Sequence, residues 1–470
     1  MKKYVLLFFS LCFISIGFSQ ETAKSFSLKE AINYALKNNY NAKTAQNNVR
    51  AAKEKQWETT TIGLPKINAK VDYQNWLKQQ VSLLPAAAFD NTKSVIDVVN
   101  DYFDGPVRNT KPVVTPEGFI PLRFGTKQNI NASVTLTQLL FDGSYIVGLQ
   151  SAKTYLNISK QAQEKTALTI REAVINAYGN VLIAEKTVVI LESNLKILEK
   201  NLADTKKIFK NGFSEEEDVE QLQITLTTVK SQLNKTKRLK DIAYKMLNIA
   251  MGNSIDETIQ LTDDLDTLIL ENLDLGLLTK NFSVANHIDY KIAENNKEGN
   301  RLLVLLEKSK ALPSLSAFVN YGYMANSDTF TFFDSNQQWY NSSLFGVSLN
   351  IPIFSSFERR AKARQAKFEY ENATFQLDEV KEQLNLKVVA AKSDYKFSVE
   401  QYQAAKQNLE LAQRIEKKHR VKFFEGVSTS FQLAQAQNQL YTQQQNYVQS
   451  MLDVIAKKAA LDNALNIPIK

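Results

Sequence analysis

GLPKINAKVDYQNW, residues 63–76, and ALPSLSAFVNYGYM, residues 311–324, decide the fold. In each, a Leu-Pro pair closes a helical run, because the proline ring excludes the helical conformation from the residue before it. The residues that follow alternate strictly. Ile67, Ala69, Val71 and Tyr73 share one side of the first stretch, and Leu315, Ala317, Val319, Tyr321 and Tyr323 share one side of the second. A period of two marks a strand with two unlike faces. Each copy has a second strand of the same kind: NINASVTLTQLLF at 129–141 and SLFGVSLNIPIF at 343–354.

Beyond these strands the period changes. From Gly143 to Asn211-Gly212 the chain reads as one helix, with apolar residues at Val174, Tyr178, Val181, Val188, Leu191, Leu195, Leu198, Leu202 and Phe209. Steps of three and four make this a coiled-coil seam with one slip near 188. At ~1.5 Å per residue such a rod is about 100 Å long. KNGF reverses the chain, and Val219, Leu222, Leu226, Val229 and Leu233 keep the spacing on the way back. A long antiparallel helical hairpin results.

The second half repeats the order. Pro65 and Pro313 are 248 residues apart, whereas Phe141 and Phe354 are 213 apart and Gly212 and Gly426 are 214 apart. The difference is a longer first loop. We therefore expect a first repeat over 20–250, with a helix at 27–60, strands at 66–76 and 129–139, an extracellular loop at 81–127 and a hairpin at 143–250. A connecting segment covers 251–278. The second repeat covers 279–470, with a helix from 279 to 312, strands at 314–324 and 343–353, a loop at 325–341 and a hairpin at 356–465. The helix at 27–60 opens with Ser27 and Glu30, a capping box.

Residues 1–19 read as a signal peptide, with Lys2 and Lys3 before an apolar run from Tyr4 to Phe18 and the small Ser19. No later segment is expected to span a membrane as a helix. The only cysteine, Cys12, lies in this leader, and the preceding Leu11 is too large for a lipoprotein cleavage site. The net charge of +8 is interleaved with acidic residues, as in EKNLADTKK, without a basic block; that is a solvated helix surface and not a nucleic-acid site. The two histidines, His287 and His419, are far apart, and no phosphate loop, His-Glu-x-x-His or nucleophile elbow occurs. Neither catalysis nor a cofactor or metal is expected.

All four strands pair an apolar face with a face of Asn, Ser, Thr, Gln, Lys or Gly. Alternation most often means a half-buried soluble sheet. Here, however, the helices are rods, and none is left to cover the apolar face. A secreted chain with strands of about ten such residues fits a transmembrane β-barrel. Four strands cannot close one, so copies must combine: two give eight strands and three give twelve. Trp76, Tyr73, Tyr321, Tyr323, Trp339 and Tyr340 lie near strand ends, where an interfacial aromatic belt would sit. The alternative is a secreted coiled-coil structural or interaction protein with a small oligomerising sheet.

The junctions LLFDG…QSAK and IPIFSSFERRAKARQAK, the tips FKNGFSEEEDVEQLQ and FFEGVSTSFQLAQAQ, and the duplicated order of elements together resemble the TolC-type outer-membrane efflux family, the outer membrane factors. The resemblance covers about 25–466. It implies an α+β membrane protein in which a homotrimer shares one 12-stranded barrel and an α-helical tunnel. The location implied is the outer membrane of a Gram-negative bacterium, with a large periplasmic part in contact with outer-membrane lipid outside. The partners implied are a periplasmic adaptor and an inner-membrane RND-type or ABC-type pump, which selects the cargo for passive export. By the same resemblance Gly212, Phe213, Gly426 and Val427 form the periplasmic tips and touch the adaptor, and Asp218, Ser428, Gln432 and Gln435 line the entrance. This sequence departs from the family at Gln432 and Gln435, where an acidic ring is expected, and at Ser428, where a gate-locking Arg is expected. The eight glutamines between 432 and 449 suit a neutral tunnel wall, or simply a solvated helix.

Overall fold

The fold is that of a computed structural model, which describes residues 24–86, 102 and 117–468. The proposed leader lies outside these residues, as does most of the first loop. The chain runs β1 (Lys24–Phe26), α1 (Leu28–Asn38), α2 (Tyr40–Thr61), β2 (Lys66–Asn75), β3 (Val81–Pro85), β4 (Phe119–Arg123), β5 (Gln128–Asp142), α3 (Gly143–Lys210) and α4 (Glu216–Met251). It continues as β6 (Ile259–Leu261), α5 (Leu265–Asn272), α6 (Ile288–Ser309), β7 (Ser314–Ser327), β8 (Tyr340–Asn350), α7 (Glu358–Phe424) and α8 (Ser430–Ala464). These elements divide into a sheet unit, Trp57–Leu149 with Leu306–Arg359, and a helical unit formed by the remainder.

In the sheet unit the order is β2-β5-β7-β8, antiparallel throughout. The register puts like faces together. Ile67, Leu136, Val319 and Phe345 lie in one row and Asn68, Thr135, Asn320 and Leu344 in the next. Asn320 Nδ2 donates to Thr135 Oγ1 at 2.7 Å, a cross-strand bond on the polar face. The apolar face is bare: Ile67, Val71, Phe345 and Leu349 are 58–69% exposed. A register irregularity at Leu140 shifts β5 before its end. β2 and β8 are the edges, and neither has an outer partner among the described residues.

Among the described residues the helical unit has two large cores and a small cluster of Val49, Ala52 and Leu156. One gathers Tyr178, Val181, Leu247, Met251, Ile269, Tyr395, Met451 and Leu461. There the Tyr178 hydroxyl lies between Phe26 O (3.0 Å) and Asp263 Oδ2 (3.1 Å). The other holds Val188, Leu191, Leu198, Leu202, Leu222, Val229 and Leu233. Most of the seam of α3 is thus buried, but Phe209 is 41% exposed. α3 and α8 also share a polar seam: Asn194 Nδ2 donates to Gln444 Oε1 at 2.7 Å, and Asn201 and Gln437, one heptad along each helix, are both buried.

Several expectations need correction. The helix expected at 27–60 is two helices, because Asn39 leaves the helical conformation, accepts from Asn41 N and donates to Ala250 O, both at 2.8 Å. The loop expected at 81–127 contains the β3–β4 hairpin, with Val81 opposite Arg123. The helix expected from 279 starts at Ile288, after two 3-10 turns at Leu275–Thr279 and Val284–Asn286. β8 covers 340–350 rather than 343–353, since it pairs with an extended β7 from Met324↔Tyr340 and stops before Pro352, which has no N–H to donate. Residues 251–278 are more than a connection, because β6 within them pairs in parallel with β1. Finally, α3 does hold an 18-residue window apolar enough to cross a membrane, but half of that window is buried inside the protein. It is a core helix of the hairpin.

Candidate functional site at the hairpin tips

Both hairpins reverse by the same chemistry. Phe213 N donates to Ile208 O at 3.1 Å and Val427 N to Lys422 O at 2.8 Å, each five residues back. This is the Schellman closure, which needs a left-handed residue just after the helix. Gly212 (φ 78°) and Gly426 (φ 75°) supply it. A side chain at either would meet nothing within 4 Å, so the requirement is conformational and not steric.

The two tips lie together around an open cavity of about 830 Å³, lined by Ile208, Phe213, Asp218, Phe423, Ser428 and Phe431 among others. Of the expected residues, Phe213, Asp218, Gly426 and Ser428 line it, whereas Gly212, Val427, Gln432 and Gln435 do not. Phe213 and Val427 are 84% and 72% exposed at the extremity. Phe431, which the sequence reading passed over, is 68% exposed beside them. Its signal was available, as an aromatic residue in the first turn of the returning helix.

Asp218 and Ser430, one from each hairpin, line the same cavity. Asp218 Oδ2 accepts from Ser214 Oγ (2.7 Å) and Glu215 N (3.3 Å), and Ser430 at the start of α8 is among the groups that hold its pKa low. Burial pushes its pKa up, but the nearby donors of Ser430, Ser214 and the backbone outweigh this, and the carboxyl stays below its ordinary value. Ser430 is buried and was not foreseen; a serine beginning a helix reads as a cap, and nothing local says that it faces the other hairpin.

In the second hairpin Gln432 is occupied as a cap. Gln432 N donates to Thr429 Oγ1 and Thr429 N to Gln432 Oε1, both at 3.3 Å. Ser428 Oγ donates to Gln432 Oε1 at 2.8 Å and lies 3.3 Å from His419 Nδ1. Gln435 is exposed and free of the cap. Charge is therefore unequal at the two tips. α4 opens with Glu216, Glu217 and Asp218, which suit a helix N-terminus, while α8 opens with no acidic residue.

Behind the tips lies a buried polar group. Glu416 is 6% exposed, 3.6 Å from Arg420 Nη1, and faces Gln437, neither of whose amide atoms has a well-formed hydrogen bond. Burial raises the Glu416 pKa, and Arg420 and Gln437 offset it only in part. The glutamine-rich stretch is accordingly not one surface: Gln437 is buried, Gln444 bonds Asn194, and Gln445 and Gln449 are exposed. Among the described residues no three His, Cys, Asp or Glu side chains gather as metal ligands.

The sequence matches the family described as "Outer membrane efflux protein" over residues 31–253 and 293–466. It is 23% identical over 351 residues to outer membrane protein TolC of Vibrio cholerae serotype O1, covering 72% of this chain and 76% of that one. Among solved structures, CusC superposes with a TM-score of 0.70 at 16% identity, covering 93% of this chain and 92% of that one. VceC of Vibrio cholerae superposes with a TM-score of 0.68 at 15% identity, covering 94% and 97%. These likenesses carry the fold.

Proposed function

Because the chain belongs to the outer membrane efflux protein family and is an outer-membrane protein, we propose that it is the exit duct of a tripartite efflux or type I secretion system. Cargo passes through it passively, delivered by a periplasmic adaptor and an inner-membrane RND-type or ABC-type pump. Three copies close one 12-stranded barrel, with the helical hairpins forming the periplasmic tunnel. Phe213 and Val427, set out by Gly212 and Gly426, are the adaptor contacts; Asp218, Ser428, Gln432 and Gln435 belong to the entrance.

One observation carries this reading: the four-stranded sheet ends in two long edges, β2 and β8, that are unpaired among the described residues, and it exposes a mainly apolar face. Such edges are a hazard unless paired. The order β2-β5-β7-β8 is antiparallel throughout, so β2 and β8 run in opposite directions. β8 of one copy can therefore pair antiparallel with β2 of the next, a head-to-tail contact that closes into a ring. Lipid covers the apolar face, and the polar face lines water.

The test uses the single cysteine of the sequence, Cys12, which lies in the proposed leader, so that the mature chain is free of thiols. One cysteine is placed on β2 and one on β8, scanning positions until oxidation joins neighbours. We expect a ladder of covalent species that stops at three chains. A ladder that continues past three, or no cross-link at any register, contradicts the shared barrel.

A further inference from the structure

The polar face of the sheet is almost without charge. Between the rows of Lys66 and Gln74 its only Lys, Arg, Asp or Glu side chains are Lys66, Lys70 and Asp72, and Tyr340 adds a neutral phenol. Lys70 Nζ is 2.9 Å from Asp72 Oδ2, two residues along the same strand, so these two neutralise each other. Lys66 stands opposite Thr137, which stands opposite Phe318, which stands opposite Gly346. None of these is acidic, and Lys66 is exposed.

Two features make this row a place where a charge is felt. Gly346 leaves a gap that the Phe318 ring fills, since a Cβ there would lie 2.5 Å from Phe318 Cζ. The ring thus lies over Gly346 on β8, at the opposite edge of the sheet from Lys66 on β2. Lys66 is the first residue of β2, but β5 runs on from Thr137 to Asp142, so the neighbours of Lys66 in its row lie inside the sheet. Asp142 faces the same way, but it accepts from Ser144 N (2.7 Å) and Tyr145 N (3.0 Å) at the start of α3. At about 3.3 Å per residue it is also more than a Debye length from Lys66 at ~0.1 M salt.

We propose that Lys66 is a specificity-determining residue of the barrel: repeated in each copy, its unpaired ammonium biases the membrane section of the duct toward anionic solutes. This rests on the reading that the polar face lines the lumen. A ring of like charges in a narrow pore attracts counter-charged solutes and repels the opposite kind.

The experiment is charge-paired thiol labelling of the full-length protein in outer membranes. Thr137→Cys is reacted with an anionic methanethiosulfonate (sulfonatoethyl) and a cationic one (trimethylammonium-ethyl), in chains that keep Lys66 or carry Lys66→Gln. With the ammonium about 6 Å from the thiol in water, the anionic-to-cationic rate ratio should fall about fivefold on Lys66→Gln at low salt. Lys66→Arg should keep the ratio, and ~1 M salt should erase the difference. An unchanged ratio in Lys66→Gln, with both reagents still reacting, overturns the role of Lys66 and leaves the duct standing. If Thr137→Cys reacts with neither reagent while Leu136→Cys on the other face does, the polar face is not aqueous, and the duct reading fails with the proposal.

Discussion

Replacing Asp218 by alanine should loosen both hairpin tips, although the residue belongs to only one of them. Its carboxylate accepts from Ser214 Oγ at 2.7 Å and Glu215 N at 3.3 Å within its own hairpin, and Ser430 of the other hairpin, which lines the same cavity, also helps to hold its pKa low. Charge-assisted bonds of this kind are worth about 1.5–3 kcal/mol each when sheltered, and less here because the tip is open to water. A loss of about 1.5 kcal/mol is a reasonable sum, or about tenfold in a local opening equilibrium. Amide hydrogen exchange reads this directly. At neutral pH we expect exchange in Asp218→Ala to be about tenfold faster at residues 214–218 and again at 430–434. The carboxyl has a native pKa below its ordinary 3.8, so its contribution is complete above that value and is lost as pH falls through the native one. The difference between wild type and Asp218→Ala should therefore persist at every pH above the ordinary carboxyl range and vanish only in strong acid. If 214–218 loosen while 430–434 exchange as before, Asp218 merely caps its own helix, and the link between hairpins is refuted.

Gly252 and Gly212 make a matched pair: both are left-handed, at φ 84° and 78°, but a Cβ at Gly252 would lie 2.4 Å from Asn38 O, whereas one at Gly212 meets nothing. Gly212→Ala should cost about 1 kcal/mol and Gly252→Ala at least twice that, seen as a clearly larger drop in Tm by circular dichroism. Equal effects would contradict the close approach of α4 to α1. Glu416→Gln should stabilise the protein at neutral pH, because the raised pKa makes burial of the charged form unfavourable. That gain should shrink as pH falls toward the ordinary carboxyl value, where wild-type Glu416 is already protonated in the fold; a gain independent of pH in thermal melts would contradict it. Changing Asn201 to Leu removes a buried amide nitrogen without a partner, Asn201 Nδ2, and should raise Tm. Changing Asn194 alone, which strands Gln444, should lower it.

The strands and the hairpins were legible because each rests on a local period. Pro65 and Pro313 mark where the period switches, and Gly212 and Gly426 mark where the chain turns back; both are properties of single residues. What the sequence hid was non-local. Asn39 breaks a helix by reaching Ala250, and β1 pairs with β6 across more than two hundred residues. The β3–β4 hairpin was masked by its turn-rich surroundings. At the tips, the exposed residues Phe213 and Val427 followed from their place beside the turn, whereas the meeting of Ser430 and Asp218 in one cavity depends on how one hairpin meets the other. The spacing of three between Thr429 and Gln432 is that of a capping box, so the cap at this tip was legible as well.

The most direct test of the shared barrel is the mass of the mature protein in detergent, with the bound detergent subtracted. The sequence with its proposed leader has a mass of 53.2 kDa. A protein mass close to three mature chains is the predicted result, whereas a monomer that stays soluble without detergent would contradict the channel.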